Sequence, residues 1–452
     1  GILAFNNDYD NTTWSGSLYA KPDERTDVTL SVRYADTEFH VPTDGSGNLV
    51  DRNAFNLHEQ LSGTLDVGRY LSDRVELRVQ LSLNEFDGGF DDQPDSPGDT
   101  LGFFGFRSVQ NQTRRGVDAR MNVHADGAVL TGGVHVEEQK ERSFDESISE
   151  FGNSTSSLDV QRLNVAAYGQ MHAMLIRGLA LTAGVRIDDN EEFGTFFTFR
   201  GGLSYVLTTG TRLRGSVGRA FKEPTFFENF SANVFARGNP DLKPERSLTW
   251  ELAVEQELWE SRLHLGATFF EQRFRDLIQY TFAPPNPTDP NFFNLPAATA
   301  RGVEVEAAIR PARTLMIRTA VTGLDTEVDN PGFDTTAGDE FVRDSTLLRR
   351  PAFTLTAEVS YRLLDRATLS PVVQHVGARA DRDFSTFPAT RIALDPYTDL
   401  AISADIDLYR TGSGTTVALQ CRVDNVLDEA YQEVFGFSAP GRRIAAGVRA
   451  QF

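Results

Sequence analysis

Apolar and polar residues alternate one by one over much of this 452-residue chain. In one segment the odd positions are all apolar: Val75, Leu77, Val79, Leu81 and Leu83. The even positions between them are polar: Glu76, Arg78, Gln80 and Ser82. The pattern recurs in 249–255, 303–309, 353–361 and 402–408. Because successive side chains of a strand point to opposite faces, it predicts an all-β protein whose strands have one apolar and one polar face.

The chain ends on another strand of this kind. Residues 444–450 alternate in the same way, and Phe452 follows as the last residue. A strand whose apolar face finishes on an aromatic residue is typical of an outer-membrane barrel, because the outward face meets lipid and aromatic girdles lie at both interfaces. Phe452 is therefore the predicted assembly signal of the barrel.

Short and long connections take turns along the chain. The nine short ones lie near Pro22, 71–73, 125–127, Gly178, 208–210, 259–261, 311–312, 364–365 and Ser413. The long, polar ones are 40–56, 87–114, 141–159, 220–244, 281–295, 325–344, 378–395 and 428–441. Transmembrane barrels have short periplasmic turns and longer extracellular loops, so nine short turns predict about twenty strands. We therefore predict a large antiparallel transmembrane β-barrel that occupies residues 1–452 as a single domain.

The net charge, the hydropathy and the cysteine content exclude several classes of protein and of partner. The net charge is −20, which argues against nucleic acid because phosphates require a basic surface. No run of about 18 apolar residues exists, so no membrane-spanning helix is expected. A single cysteine excludes an intramolecular disulfide and a cysteine-based zinc cluster. A secreted multi-domain β protein fits these bulk values equally well, so composition alone does not place the chain in a membrane.

Catalytic chemistry has no support in the sequence. The seven histidines are scattered, and none pairs with another at the i, i+4 spacing of a zinc protease. No Gly-x-Ser-x-Gly segment is found. We therefore predict no catalytic residue, no enzyme activity and no cofactor, with calcium as the single candidate ion.

Acidic residues cluster in the predicted loop 87–114. Hard cations take several carboxylate and carbonyl oxygens from flexible loops, so a calcium site is one interpretation of this segment. The spacing matches no EF-hand, and a solvated acidic loop is the other interpretation. The calcium candidates are Asp87, Asp91, Asp92 and Asp95, with Asp99 in the same segment.

Aromatic residues stand out in two of the predicted outer loops. Small-molecule sites combine apolar and aromatic side chains with a few polar groups, so these loops are candidates for a ligand-capturing mouth. The alternative is an interface girdle or loops that pack on themselves. The ligand-binding candidates are Phe103, Phe104, Phe106, Phe226, Phe227, Phe230 and Arg237.

Several motifs resemble those of the TonB-dependent outer-membrane receptors. Gly238-Asn239-Pro240-Asp241-Leu242-Lys243-Pro244-Glu245-Arg246-Ser247, followed by Trp250-Glu251, is similar to a loop-to-strand segment of that family. Other matching pieces, in the same order as in the family, are Phe221-Lys222-Glu223-Pro224-Thr225, Arg301-Gly302-Val303-Glu304, Arg349-Arg350-Pro351 and Asp424-Asn425-Val426-Leu427. The resemblance covers essentially the whole chain and is nearest to receptors of the cobalamin and siderophore types.

The resemblance implies a function. Such receptors import a large, scarce nutrient, such as cobalamin or a ferric siderophore, across the bacterial outer membrane with energy relayed by TonB. It also implies a plugged barrel of twenty-two strands. Nothing in this chain corresponds to the N-terminal plug, since strand-like alternation begins by Trp14. We expect the plug to be a separate, cleaved or missing domain. The alternative function is a passive outer-membrane channel or a surface-binding barrel without energy coupling.

Overall fold

A computed structural model describes residues 6–43, 50–99, 103–233, 236–281, 284–330, 343–364, 366–383, 390–410 and 415–451. Its first ten strands are β1 (Tyr9–Asp23), β2 (Thr26–His40), β3 (Phe55–Ser72), β4 (Val75–Asp92), β5 (Phe103–Ala125), β6 (Ala128–Ser149), β7 (Gly152–Ile176), β8 (Leu179–Asn190), β9 (Gly194–Val206) and β10 (Thr211–Lys222). After the short helix α1 (Phe226–Phe230) come β11 (Glu245–Leu258), β12 (Leu263–Tyr280), β13 (Phe292–Ala312), β14 (Leu315–Asn330), β15 (Phe353–Leu363), β16 (Ala367–Val376), β17 (Arg379–Asp383), β18 (Thr390–Leu394), β19 (Tyr397–Arg410), β20 (Thr416–Asp424), β21 (Gln432–Val434), β22 (Phe437–Ser438) and β23 (Arg443–Gln451).

One antiparallel sheet dominates the fold. In the described part of the chain it has 19 strands, and each pairs with its neighbours along the chain, from β1 through β16 to β19, β20 and β23. The pairs β17–β18 and β21–β22 form two small separate hairpins. Within the described ranges β1 pairs only with β2, and β23 only with β20. The all-β prediction is confirmed, and the strand count lies close to the predicted value of about twenty.

Tight turns lie at one end of the sheet, which we call the turn end. Gly127 and Gly178 close two of them with φ angles of 77° and 84°, a conformation that glycine adopts without a steric penalty. A Cβ on Gly178 would lie 2.7 Å from the carbonyl oxygen of Val206. The predicted short connections are confirmed where the structure describes them. Residue 365, in the predicted turn 364–365, and residues 411–414, around Ser413, lie outside the described residues.

At the opposite end, which we call the loop end, two predicted loops are wrong. β4 continues to Asp92 and β5 starts at Phe103, so most of the predicted loop 87–114 is strand. The predicted loop 141–159 is mostly ladder, because β6 and β7 pair up to Ser149 and Gly152. These strand ends are rich in polar residues, and their apolar residues, such as Phe106, Val109 and Phe144, no longer recur at every second position. Backbone hydrogen bonds still form there, but without the regular alternation the sequence resembles a loop.

The two faces of each strand differ in chemistry. On β7 the odd residues face outward, and Leu163, Val165 and Leu175 are 42 %, 43 % and 50 % exposed. Nearer the loop end the outward residues turn polar, as at Asp159 and Gln161. This is the outward apolar band of a lipid-facing barrel wall. Among the described residues, no helix has the length and apolar content needed to cross a membrane. Phe452 lies outside the described residues, so its role stays a prediction.

Candidate functional site

The inward wall near the turn end is built around Arg78 of β4. Its guanidinium donates to Glu76 (Nη1 to Oε1, 2.6 Å) and to Asp27 of β2 (Nη2 to Oδ2, 2.7 Å). Its Nε donates to Asp66 of β3 at 2.9 Å. The Arg78 side chain is only 19 % exposed. A planar guanidinium with several fixed donors suits this arrangement, and it ties three neighbouring strands together through side chains.

The network continues across the wall through Asp118 of β5. Arg120 donates to Asp118 at 3.0 Å and to Asp66 at 3.3 Å. The hydroxyl of Tyr168 on β7 donates to the other oxygen of Asp118 at 2.8 Å. Arg186 of β8 lies 5.8 Å from the centroid of the Tyr168 ring. These side chains border a cavity of about 690 Å³ on the inward face. The inward wall therefore presents positive and negative side chains, and hydrogen-bond donors and acceptors, to the cavity.

A second cluster surrounds Arg162, nearer the loop end. This β7 side chain is 5 % exposed and donates to Gln139 of β6 at 3.0 and 2.8 Å. It also donates to the carbonyl of Pro224 at 2.8 Å and pairs with Glu223 at 3.0 Å. Its guanidinium carbon lies 4.5 Å from the centroid of the Phe226 ring. Arg162 thus holds the segment that begins α1 against the wall.

Local sequence explains why a helix starts here. Thr225 is the N-cap, its side chain accepts from the Glu228 amide, and the Glu228 carboxylate accepts from the Thr225 amide. This reciprocal pair is a capping box. The sequence did not predict Arg162 as a clamp, because its partners lie 23 to 62 positions away. The only local signal is an arginine and an amide, Asn164, on the inward parity of β7.

A polar cavity of about 420 Å³ adjoins this clamp. Gln112 of β5 donates to Glu141 of β6 at 2.9 Å, and both line the cavity. Asn164 is 9 % exposed, and its Nδ2 donates to Asp188 at 3.1 Å. The Oδ1 of Asn164 is buried without a hydrogen-bond partner. Such an acceptor is costly unless a ligand group or water satisfies it.

The predicted aromatic residues lie in strands and packed segments rather than in free loops. Phe104 and Phe106 belong to β5, and Phe106 lies 6.0 Å from Phe90 between ring centroids. Phe103 begins the same strand. Phe226 is 5 % exposed under Arg162, and Phe227 packs edge-on to Phe292 at 5.9 Å.

Two further mouth candidates also make contacts within the protein. Phe230 ends α1 and is half-buried. The amide of Arg237 donates to Asn291 Oδ1 at 2.8 Å, and its guanidinium donates to the Pro287 carbonyl at 3.2 Å. Arg237 therefore joins two loops. Ligand contact by these residues, and by the five phenylalanines above, stays a prediction.

The structure does not gather the four calcium candidates into one set of ligands. Asp87 and Asp91 share the outward parity of β4, Asp92 has the inward parity, and Asp95 accepts from the amide of Arg52 at 3.0 Å. In the described part of the chain no three His, Cys, Asp or Glu side chains are grouped to hold a metal ion. Burial, reinforced by neighbouring carboxylates such as Asp51, raises the pKa of Asp92 to about 6. Calcium binding stays a prediction.

Comparison with known proteins agrees with this architecture. The family model for the TonB dependent receptor-like β-barrel matches residues 2–426. The chain belongs to this family. The resemblance noted in the sequence is thereby confirmed.

Individual relatives transport or bind different substrates. The vitamin B12 transporter BtuB of Vibrio cholerae serotype O1 is 28 % identical over 303 residues, which cover 66 % of this chain and 44 % of BtuB. The chain thus spans less than half the length of the curated relatives it matches. Among solved structures, the copper transporter OprC has a TM-score of 0.77 at 16 % identity and covers 98 % of this chain and 72 % of its own. The Pseudomonas aeruginosa ferric enterobactin receptor has a TM-score of 0.74 at 16 % identity, covering 99 % and 71 %. These structural likenesses establish the fold.

Proposed function

We propose that this chain is the barrel of a bacterial outer-membrane receptor that imports a large, scarce nutrient, such as cobalamin, a ferric siderophore or a similar chelate. The observation that carries the proposal is the contrast between the two faces of one sheet. An apolar band faces outward, as at Leu163 and Val165, while a continuous network of charges faces inward from Asp27 to Arg186. A wall of this kind encloses a polar path through lipid.

The barrel supplies walls and loops rather than bond chemistry. Barrels of this width enclose a lumen that a plug fills in outer-membrane transporters. We infer that a plug domain contacts the inward network and receives energy through TonB. The ligand would then pass along the inward wall. The printed names of a vitamin B12 transporter, a copper transporter and a ferric enterobactin receptor support a metal or a metal-containing compound as cargo.

Energy coupling separates this proposal from a passive channel. Cells that lack other cobalamin and siderophore receptors would be given the complete gene, and uptake of radiolabelled cyanocobalamin and ferric enterobactin would be followed. We expect one of these ligands to accumulate, and we expect a protonophore or loss of TonB to abolish the uptake. Uptake that persists without TonB, together with large conductance in planar bilayers, would identify a passive channel instead.

A further inference from the structure

The outward rim of the barrel carries a group of arginines just beyond the apolar band. On β11 the outward side chains Leu252 and Trp250 belong to the band, and Trp250 packs against Phe269 of β12 at 5.2 Å between ring centroids. Aromatic residues at this level mark the boundary between lipid and water. The outward arginines at and beyond this boundary on the loop-end side, which we call the arginine patch, are Arg219 on β10, Arg246 on β11, Arg273 and Arg275 on β12, and Arg301 on β13.

Strand pairing places these arginines on one continuous surface. Arg219 and Arg273 both lie beside Leu248, which faces outward and is 39 % exposed. Arg246 lies opposite Arg275, one row nearer the loop end. Neighbouring strands are about 4.8 Å apart, so the patch extends over roughly 15 Å from β10 to β13. The patch is therefore wider than a single phosphate group.

Part of the patch has no counter-ion within the protein. Three of its arginines have carboxylate partners: Arg246 with Asp276, Arg273 with Glu271 at 2.6 Å, and Arg301 with Asp325 at 2.8 Å. Arg219 and Arg275 are exposed and have no hydrogen bond or ion pair to any residue that the structure describes. Five arginines thus face these three carboxylates and Glu327 of β14, so positive charge is in excess.

The same level of the rim is acidic in another sector of the sheet. Asp36 of β2 lies opposite Glu59 of β3, which lies opposite Asp87 of β4. All three carboxylates face outward and are exposed. A row of like charges repels an anionic headgroup, whereas the arginine patch attracts one. The patch is therefore a local feature of β10–β13 and not a property of the whole rim.

Lipid headgroups lie directly beside the patch in a barrel of this kind. The long loops of such barrels are extracellular, so the loop end meets the outer leaflet. A guanidinium binds phosphate oxygens through two parallel hydrogen bonds, and one that is already paired with a carboxylate still has further N–H donors. Because the arginines spread over several strands, a headgroup with two phosphates on a rigid sugar frame fits them better than a single phosphate.

We propose that the arginine patch binds the diphosphorylated sugar headgroup of an outer-leaflet glycolipid, whose acyl chains run along the apolar band past Trp250 and Leu252. The inference rests on the outer-membrane location in the proposed function, and it adds a lipid partner that transport of a chelate does not require.

Native mass spectrometry of the complete protein in detergent micelles tests the proposal, because it counts bound lipid. Diphosphoryl lipid A should stay bound to the wild type, and monophosphoryl lipid A should bind more weakly. The double variant Arg219→Gln, Arg275→Gln should bind diphosphoryl lipid A roughly thirtyfold more weakly, since each arginine near a lipid phosphate contributes a factor of about five. The matched control is Arg313→Gln, Arg366→Gln, which removes two exposed arginines at the turn end and should bind like the wild type.

Folding is checked by the shift in gel mobility between unheated and boiled samples. If the double variant fails to assemble, Arg219→Gln and Arg275→Gln are measured singly, and each should weaken binding about fivefold. Wild-type affinity in the assembled variants overturns the patch, as does lipid A that inorganic phosphate displaces, or monophosphoryl lipid A that binds equally well. In those cases energy-dependent chelate uptake still supports the receptor function. Absence of uptake from cells whose barrel binds lipid A would overturn the receptor function and leave the patch.

Discussion

Replacing Arg162 with methionine should release the α1 segment while leaving the barrel assembled. The guanidinium is 5 % exposed and is matched by Glu223, whose side chain is 14 % exposed. Removing one partner of a buried pair costs about 3–5 kcal/mol, because the other charge stays buried and unpaired. We take the lower end, about 3 kcal/mol, since Glu223 retains some solvent contact. That value corresponds to a roughly hundredfold larger equilibrium constant for local opening of the α1 segment.

Hydrogen exchange in detergent micelles measures the effect directly. The amides of Asn229 and Ser231 report on α1, because they donate to the carbonyls of Thr225 and Phe227 at 3.1 Å each. Their exchange should accelerate roughly a hundredfold in Arg162→Met. Amides of the β6–β7 ladder should change little, since their bonds do not involve the side chain. The double variant Arg162→Met, Glu223→Gln should recover much of the protection.

The control is Arg142→Met on the neighbouring strand. Arg142 pairs with Asp159 at 3.2 Å, but both side chains are about 60 % exposed (60 % and 62 %). Exposed pairs contribute at most about 1 kcal/mol, so exchange in α1 should stay at the wild-type rate. Equal behaviour of Arg162→Met and Arg142→Met would refute the clamp, and so would a double variant that is worse than the single one.

Three further perturbations probe the wall. Leu81 faces outward and is 46 % exposed, so Leu81→Arg places a charge in the lipid at a cost of about 2–4 kcal/mol near the membrane midplane. Assembly of this variant into liposomes should fall, whereas the inward variant Gln80→Arg should still assemble. Arg78→Met leaves three carboxylates without their shared guanidinium and should lower the unfolding temperature by more than Arg301→Met, whose pair with Asp325 is exposed. The pKa of Asp92 is raised to about 6 in the folded protein, so the charged carboxylate lowers the stability of the surrounding structure above that pH. Protection of nearby amides against hydrogen exchange should therefore improve between pH 7 and pH 5 in the wild type but not in Asp92→Asn.

The sequence predicted the parts of the strands that lie within the apolar band but not the parts that extend beyond it. Leu77, Leu81 and Leu83 mark β4 because outward positions there must be apolar. Beyond them Glu85 and Asp87 occupy the same face, and no period remains to indicate a strand. The backbone ladder continues regardless, since its hydrogen bonds depend on pairing with β3 and β5 rather than on side-chain polarity.

The candidate site was harder to predict than the fold for a different reason. Each contact of Arg162 joins residues that are far apart in the chain: Gln139 on β6, Pro224 before α1, and Phe226 within it. Period-2 patterning gives the face of a residue but not its partner across the sheet. The aromatic residues Phe226 and Phe227 were identified from composition alone, whereas their packing against Arg162 and Phe292 depends on where the loop folds back.

Neighbouring residues of β7 show why the usual link between polarity and burial is reversed in this protein. Arg162 is 5 % exposed and Leu163 is 42 % exposed, although they are adjacent in the chain. In a water-soluble domain a buried arginine next to an exposed leucine would be unfavourable twice over. Here lipid accepts the leucine, and the inward face supplies Glu223 and Gln139 for the arginine. The same backbone strand therefore faces two media, and the polar side is left free to specialise for ligand chemistry.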